Sequence, residues 1–296
     1  MKRPIQTGPA RRAPSAPRHA GRAAPRRAGR RRAFPLRPSL HRLGAALLAL
    51  TLLLPAALAP APSLAAEALV AVAANFADTA RFLAAEYGAR SGHQVTIASG
   101  STGKIYAQIK AGAPFHAFLS ADAERPRLLV EEGLAVPDSR FTYALGRLVL
   151  WSADPERIGP DGAATLSAQD YPRLAIANPR LAPYGLAAQQ VLEKLGLWDA
   201  LQPKLARGEN IGQAYAMTAS GAAPLGFVAA AQAGAGPKGS AWAPPPEMYD
   251  EIRQDAVLLR SGAQNEAAKG FLAYLDLGYA RGLIRDAGYG TPSSSR

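Results

Sequence analysis

Short apolar runs alternate with amphipathic helical segments through most of this 296-residue chain. Residues 69–74 form an unbroken apolar run, which is typical of a strand buried on both faces. The next segment places four apolar residues between Phe76 and Tyr87 on one helical face, and Gly88 is expected to end that helix. Such alternation predicts an α/β fold in which helices cover parallel sheets.

The same alternation recurs towards the C-terminus. Further strands are predicted at residues 95–99, 115–121, 145–152, 174–178 and 225–229. Helices are predicted around residues 105–109, 186–195 and 211–220, and a helical C-terminal region at residues 271–277 and 283–287. A Gly/Pro loop is predicted at residues 234–246. About 230 residues follow the N-terminal segment, which is a lot for one sheet. We therefore expect two lobes, one from residues 66–145 plus 255–296 and the other from residues 146–254.

Positive charge is concentrated at the N-terminus. The formal net charge is +12, but 13 of the 34 basic residues lie within residues 1–66, where there is no acidic residue. The rest of the chain contains the other 21 basic residues and all 22 acidic residues, so it is nearly neutral. A nucleic-acid-binding surface needs basic charge on the folded part, and this distribution therefore argues against a nucleic-acid partner.

The N-terminal segment has the three parts of a secretory signal. A long Arg-, Pro- and Ala-rich region, expected to be disordered, precedes an apolar run at residues 43–54 that is too short to span a bilayer. The small residues Ser63 and Ala65 follow, which predicts cleavage near Ala65 and a signal peptide over residues 1–65. A twin-arginine signal and a retained signal anchor are the alternatives. No later apolar stretch is long enough to span a membrane, so we expect a soluble exported protein.

The composition also limits the possible metal chemistry. The chain has no cysteine, which excludes disulfides and thiolate metal sites. Beyond the signal segment only His93 and His116 remain, and neither lies in a metal-ligand spacing. We expect neither a cofactor nor a protein-coordinated cation.

Four polar turns stand where predicted strands lead into predicted helices. They contain Asn75, the sequence SGSTGK at residues 99–104, residues 178–185, and residues 209–212. Free N–H groups and the positive end of the helix dipole make such turns favourable for anions. No tight cluster of Arg, His or carboxylate side chains accompanies them. The pattern predicts a buried, fully ionised anion that is held by neutral donors.

From about residue 67 to residue 290 the sequence resembles the periplasmic molybdate-binding proteins of ABC transporters. The resemblance rests on seven segments: VAVAANF (70–76), SGSTGKIYAQI (99–109), GAPFHAFLSAD (112–122), FTYALGRLVLWS (141–152), ANPRLAPYGLAA (177–188), ENIGQAYAMTASGAAPLGFVA (209–229) and AGYG (287–290). It implies a two-lobed, type II periplasmic-binding-protein-like α/β fold, with a mostly parallel sheet flanked by helices in each lobe. It further implies a monomeric, non-enzymatic periplasmic receptor that closes on molybdate or tungstate and delivers it to a membrane permease.

The resemblance also implies which residues hold the anion. By position they are Asn75, Ser101 or Thr102, Tyr184 and, through its main-chain N–H, Ile211. Some family members also use a tyrosine hydroxyl at a position where this chain has Ala229. That contact is therefore missing, and selectivity against sulfate is less firmly implied.

Other interpretations of the protein and of single residues remain open at this stage. Ser101 and Lys104 spell the S-x-x-K motif of penicillin-binding acyl enzymes, although the companion motifs S-D-N and K-T-G are absent. The same fold could serve a sulfate or an iron receptor, although iron usually needs paired tyrosines with a carboxylate or histidine. Asn75 could be a plain helix cap, and Tyr184 could be a packing residue.

Overall fold

Two five-stranded sheets organise the part of the chain that the structure describes. The structure is a computed structural model, and it describes residues 65–236 and 238–292. The predicted signal peptide lies outside the described residues except for Ala65. None of the helices in the described ranges has both the length and the apolar content needed to cross a bilayer.

Ten strands and ten helices make up these residues. The strands are β1 (Glu67–Ala73), β2 (Gln94–Gly100), β3 (Ala117–Leu119), β4 (Phe141–Gly146), β5 (Leu148–Ser152), β6 (Leu174–Ala177), β7 (Leu205–Gly208), β8 (Leu225–Ala229), β9 (Ser240–Trp242) and β10 (Ile252–Leu258). The helices are α1 (Ala77–Ser91), α2 (Thr102–Lys110), α3 (Glu124–Glu131), α4 (Gly162–Ala168), α5 (Pro183–Lys194), α6 (Trp198–Leu201), α7 (Ile211–Ala219), α8 (Ala230–Ala235), α9 (Glu266–Asp276) and α10 (Gly278–Asp286). Short 3-10 turns lie at Ala74–Phe76, Gln202–Lys204, Pro246–Met248 and Arg260–Gly262.

The two sheets repeat one topology although the sequence shows no clear internal repeat. The first sheet has the order β2-β1-β3-β10-β4 and the second the order β7-β6-β8-β5-β9. In each sheet three strands run parallel, and the fourth and fifth join by antiparallel pairing. The predicted two-lobed α/β fold is therefore confirmed, with mixed sheets in both lobes. We call the lobe with the first sheet lobe I and the other lobe II.

The chain crosses between the sheets twice. The single strand predicted at residues 145–152 is wrong, because β4 ends at Gly146, β5 begins at Leu148, and the two strands belong to different sheets. The second crossing runs through residues 243–251, and β10 then inserts between β3 and β4. The predicted lobe boundary between residues 254 and 255 consequently falls inside β10. The other lobe bounds stay a prediction.

The structure also changes the interpretation of Gly88 and of the predicted loop at residues 234–246. Gly88 does not end α1, which continues to Ser91 and is followed by Gly92 at φ 74°. Instead, Gly88 makes room for a close approach, since a Cβ there would lie 3.0 Å from the carbonyl oxygen of His93. The predicted Gly/Pro loop at residues 234–246 contains the end of α8 and the short strand β9. Strands β7 and β10 were not predicted.

Apolar side chains from both lobes pack at their shared boundary. The cluster around the second sheet includes Tyr184 and Ile211 of lobe II, and it also takes in Ala73 and Ala121 from the strand ends of lobe I. A separate cluster covers one face of the first sheet and includes Phe76. The carboxyl ends of β1 and β3 thus abut lobe II directly.

Gly226 in β8 provides a test of this packing. A methyl group at residue 226 would overlap the Thr218 hydroxyl of α7 and lie 3.2 Å from Ala175 Cβ. We expect Gly226→Ala to lower the free energy of unfolding by about 1–3 kcal/mol through overpacking. Urea unfolding should show that adding Thr218→Ala recovers part of this loss. The control is Gly159→Ala, since a methyl at this exposed position meets nothing within 4 Å; equal losses at residues 226 and 159 would contradict the packing described.

Candidate functional site

The turns after β1 and β2 lie side by side at one edge of the first sheet. The two strands pair in parallel, with Ala73 opposite Gly100, so Asn75 and Ser101 follow at the same edge. Asn75 belongs to the 3-10 turn after β1, and Ser101 directly precedes α2. Both side chains are buried, with exposed fractions of 5% and 3%. The carboxyl edge of a sheet is where open α/β folds bind ligands.

Two polar atoms at this edge have no hydrogen-bond partner among residues 65–236 and 238–292. They are Asn75 Oδ1 and Ser101 Oγ, and both are fully buried. The Thr102 hydroxyl differs, because its oxygen accepts a hydrogen bond of 3.1 Å from Ala121 N–H. An unsatisfied buried polar group costs about 1–3 kcal/mol, so a pair of them in one place calls for a further partner.

Lobe II brings two helix N-termini to the same region. Tyr184 lies in the first turn of α5, and Ile211 is the first residue of α7. The first N–H groups of a helix have no acceptor within the helix. Asn210 caps α7 by accepting a 3.1 Å hydrogen bond from Gln213 N–H, which leaves the N–H groups of Ile211 and Gly212 to find other acceptors.

Direct contacts join the turns of the two lobes. Gly103 N–H donates to the carbonyl oxygen of Leu181 at 2.9 Å, so the glycine turn of lobe I touches the turn before α5. A methyl group on Gly212 would lie 3.6 Å from Ala74 Cβ, so the start of α7 faces the turn after β1. The four predicted turns therefore converge on one closed cleft between the lobes.

Gln254 connects Asn75 to Tyr184 within this cleft. Asn75 Nδ2 donates to Gln254 Oε1 at 2.8 Å, and Gln254 Nε2 lies 3.5 Å from the Tyr184 hydroxyl. The Tyr143 hydroxyl lies 3.2 Å from Gln254 Oε1 and 3.0 Å from the carbonyl oxygen of Ser120. The structure thus brings Asn75 and Tyr184 together through a residue that sequence reasoning missed.

A third buried tyrosine supports the turn after β1. The Tyr289 hydroxyl donates to the main-chain oxygen of Asn75 at 2.6 Å, and its ring meets Phe76 edge-on with centroids 5.1 Å apart. The AGYG segment containing Tyr289 carried part of the resemblance, but sequence reasoning assigned no role to this residue. Its hydroxyl fixes the backbone of Asn75 from 214 residues away.

Two ion pairs lie beside the cleft. Lys104 Nζ lies 3.2 Å from Glu209 Oε2 at the exposed rim, and this ion pair also bridges the lobes. The Arg125 guanidinium is paired with the Asp122 carboxylate. Within the described ranges, no group of three or more His, Asp or Glu side chains is placed to hold a metal ion. The absence of a protein-coordinated cation stays a prediction.

The acyl-enzyme interpretation of Ser101 and Lys104 finds no support in this arrangement. Ser101 Oγ has no hydrogen-bond partner among the described residues, whereas Lys104 Nζ is engaged with Glu209. A serine nucleophile needs a base within hydrogen-bond reach. The geometry gives Ser101 no such base, and it remains available as a neutral hydroxyl donor.

Burial keeps the cleft tyrosines uncharged. The pKa values of Tyr143 and Tyr184 are raised well above 10.0, mainly because the protein interior does not solvate a phenolate. Both hydroxyls therefore retain their protons at neutral pH and can donate a hydrogen bond. Together with the amides of Asn75 and Gln254, they form an uncharged polar lining.

Comparison with known proteins places this chain in a family. Residues 68–290 match the family model described as bacterial extracellular solute-binding protein. The chain belongs to the bacterial extracellular solute-binding proteins. It is 49% identical to the molybdate-binding protein ModA of Rhodobacter capsulatus over 254 residues, which cover 86% of this chain and 98% of that protein. It is 47% identical to ModA of Azotobacter vinelandii, with 76% and 90% covered.

A solved structure agrees with this placement. The periplasmic molybdate-binding protein of Azotobacter vinelandii superposes with a TM-score of 0.73 at 45% identity, covering 76% of this chain and 100% of the solved chain. The predicted resemblance to periplasmic molybdate-binding proteins of ABC transporters is confirmed. As a solute-binding protein, this chain belongs to an extracytoplasmic family of receptors and not to an enzyme class. The roles of Asn75, Ser101, Thr102, Tyr184 and Ile211 as ligand residues stay a prediction.

The raised tyrosine pKa values predict a loss of stability in alkali. In the unfolded chain a tyrosine loses its proton near pH 10, whereas Tyr143 and Tyr184 resist deprotonation in the fold. The stabilisation is therefore complete below about pH 10 and is lost as the pH rises above it. We expect each buried tyrosine to add about 1.4 kcal/mol per pH unit to the slope, measured by urea unfolding. Tyr143→Phe removes one of these protons and should reduce that slope by about 1.4 kcal/mol per pH unit. An unchanged slope would contradict a raised pKa of Tyr143 in the fold.

Proposed function

We propose that this protein is a periplasmic receptor that captures molybdate, and also tungstate, and delivers it to the membrane permease of an ABC importer. The relatives at 49% and 47% identity are named as molybdate-binding proteins, and their match covers nearly their whole length. The receptor acts as a monomer after its signal peptide is removed. It carries out no catalysis and requires no cofactor.

The observation that carries the proposal is the pair of unpartnered polar groups in the cleft. Asn75 and Ser101 are buried at adjacent strand ends, and the N-termini of α5 and α7 face them from the other lobe. A tetrahedral dianion would accept hydrogen bonds from the Ser101 hydroxyl and from the first N–H groups of the helices, and also from Asn75 once its side-chain Nδ2 is turned towards the anion. A hydrogen bond to a charged partner is worth about 1.5–3 kcal/mol, so several together support tight binding.

Neutral donors also favour an anion without a proton. Asp78 and Glu209 are the carboxylates nearest in sequence to the four turns, and both side chains are exposed and paired with cations. Hydrogen phosphate would need a buried acceptor for its proton, and these exposed carboxylates do not supply one. Molybdate and tungstate are fully ionised at neutral pH and need none. Sulfate shares this property, so it is the closest competitor in any binding test.

Binding from two lobes explains how the ligand state could be signalled. The turns after β1 and β2 hold one side of the anion, and the N-termini of α5 and α7 hold the other. All contacts to the anion therefore form only when the cleft is closed. An anion that binds the closed form more tightly shifts the equilibrium towards it. The Gly103–Leu181 hydrogen bond and the Lys104–Glu209 pair then add to closure. We propose that the permease recognises the closed form.

Calorimetry with four sodium salts tests the proposal directly. We expect molybdate and tungstate to bind with micromolar or tighter dissociation constants, whereas phosphate should give no heat. Sulfate is expected to bind at least about tenfold more weakly, a difference of about 1.4 kcal/mol. A protein that binds sulfate most tightly would be a sulfate receptor instead, and the absence of heat with all four salts would overturn the anion-receptor function.

A pair of substitutions at Thr102 isolates the contribution of one main-chain N–H. Thr102 is the first residue of α2, where proline is well tolerated. Thr102→Pro removes the N–H and the hydroxyl, whereas Thr102→Ala removes only the hydroxyl, which already serves Ala121. We expect the alanine variant to bind molybdate within about threefold of the wild type and the proline variant about 10- to 100-fold more weakly. Equal affinities of the two variants would exclude this N–H as a ligand.

A further inference from the structure

Gln254 occupies the centre of the buried polar network and is completely buried itself. It lies on β10, next to an irregularity where the pairing with β4 shifts: Gln254 is opposite Ala144, but Asp255 is opposite Thr142. The skipped residue is Tyr143, which points its hydroxyl at Gln254. Bulges of this kind often redirect side chains beside functional sites. Here the bulge allows a strand of lobe I to present an amide to both lobes.

In their present orientation, the side-chain amides of Asn75 and Gln254 leave some hydrogen-bonding groups of the network without a partner. Asn75 turns its Nδ2 to Gln254 and leaves Oδ1 buried without a partner. The Tyr143 hydroxyl has one hydrogen but faces two acceptors, Ser120 O at 3.0 Å and Gln254 Oε1 at 3.2 Å. An oxygen such as Asn75 Oδ1 would also repel an oxyanion, which offers no proton. The orientation therefore suits a cleft without anion.

Turning both amides over satisfies every one of these groups when an anion is present. Asn75 then directs an Nδ2 hydrogen at the anion and its Oδ1 at Gln254 Nε2. The second hydrogen of Gln254 Nε2 reaches the Tyr143 oxygen, whose own hydrogen goes to Ser120. Gln254 Oε1 then faces Tyr184, whose hydroxyl can donate to it. Without the anion, an Asn75 hydrogen would replace Oδ1 as the unpartnered group.

We propose that Gln254 is a positioning residue for anion binding, and that the amides of Asn75 and Gln254 turn over together when the anion enters. The proposal rests on the oxyanion-receptor function above. Its consequence reaches the other lobe, because the turned Gln254 accepts a hydrogen bond from Tyr184 of α5. The turned amide therefore replaces the present 3.5 Å approach of Gln254 Nε2 to the Tyr184 hydroxyl with a hydrogen bond that Tyr184 donates across the lobe boundary.

Nuclear magnetic resonance of the wild-type protein gives a readout that a purely structural role would not move. Gln254 and Tyr143 lie on paired strands of the same lobe, so the contact between them can be read in the open and in the closed protein. With ¹⁵N-labelled glutamine and asparagine, the Overhauser contacts from the side-chain NH2 group of Gln254 to the ring protons of Tyr143 should be weak before molybdate is added and should strengthen after saturation with molybdate. The Asn75 NH2 resonances should shift in the same step. Contacts to Tyr143 that do not strengthen in the loaded protein would overturn the proposal.

Calorimetry on matched variants gives an independent test. Gln254→Met keeps the approximate size of the side chain but cannot hold Asn75, and we expect it to weaken molybdate binding about 10- to 100-fold. The control is Gln190→Met, because Gln190 also makes two hydrogen bonds, both to Asp250 outside the cleft. It should bind like the wild type.

The outcomes separate this proposal from the receptor function. If the wild type binds neither molybdate nor tungstate, the receptor function itself fails. If the wild type binds and Gln254→Met binds equally well, only the role of Gln254 fails. Should Gln254→Met not fold, the Overhauser contacts in the wild-type protein still decide.

Discussion

Unmet hydrogen-bonding capacity in a buried, uncharged cleft is the constraint on which the rest of this structure depends. Proteins rarely leave buried polar groups without partners, because each one costs about 1–3 kcal/mol. Asn75 Oδ1 and Ser101 Oγ are left in this state at neighbouring positions, while nearby cations are neutralised by carboxylates. The Ser101 hydroxyl can therefore donate to a guest that accepts hydrogen bonds and brings its own charge, and Asn75 can do so once its amide is turned over.

The repeated topology explains how such a place can be built from two lobes. Each sheet has three parallel strands whose carboxyl ends lead into turns and helix N-termini. When the two lobes face each other across a cleft, N–H groups from both converge on it. The lobes share no obvious sequence repeat, so strand order and not residue identity preserves the arrangement.

Local chemistry made part of the site predictable from the sequence. Asn75 and Ser101 stand at strand-to-helix turns rich in small and hydroxyl residues, and such turns can be recognised without any knowledge of tertiary contacts. The difference between Ser101 and Thr102 was not accessible from the sequence, because only the fold shows that the Thr102 oxygen accepts a hydrogen bond from Ala121 N–H, whereas Ser101 Oγ has no partner among the described residues. Whether these residues bind the anion is still a prediction.

Long-range placement was the part that could not be predicted. Gln254 contacts Asn75 across 179 positions of sequence, and it lies on a strand whose polar and charged residues obscured its pattern. The break at Arg147 was predicted only in part: a lobe boundary was placed between residues 145 and 146, but one strand was predicted over residues 145–152 because β5 continues the apolar pattern of β4. Both misses concern the segments that link the lobes, where tertiary geometry overrides local pattern.

The insertion of β10 between β3 and β4 also has a consequence for biosynthesis. Every strand of the second sheet lies between Leu148 and Trp242, so that sheet can be completed from one continuous stretch of chain. The first sheet must wait for residues 252–258, which supply its fourth strand. During synthesis from the N-terminus onwards, the earlier lobe in the sequence is therefore the later one to be finished, and until then β3 and β4 have open edges that a chaperone could shield.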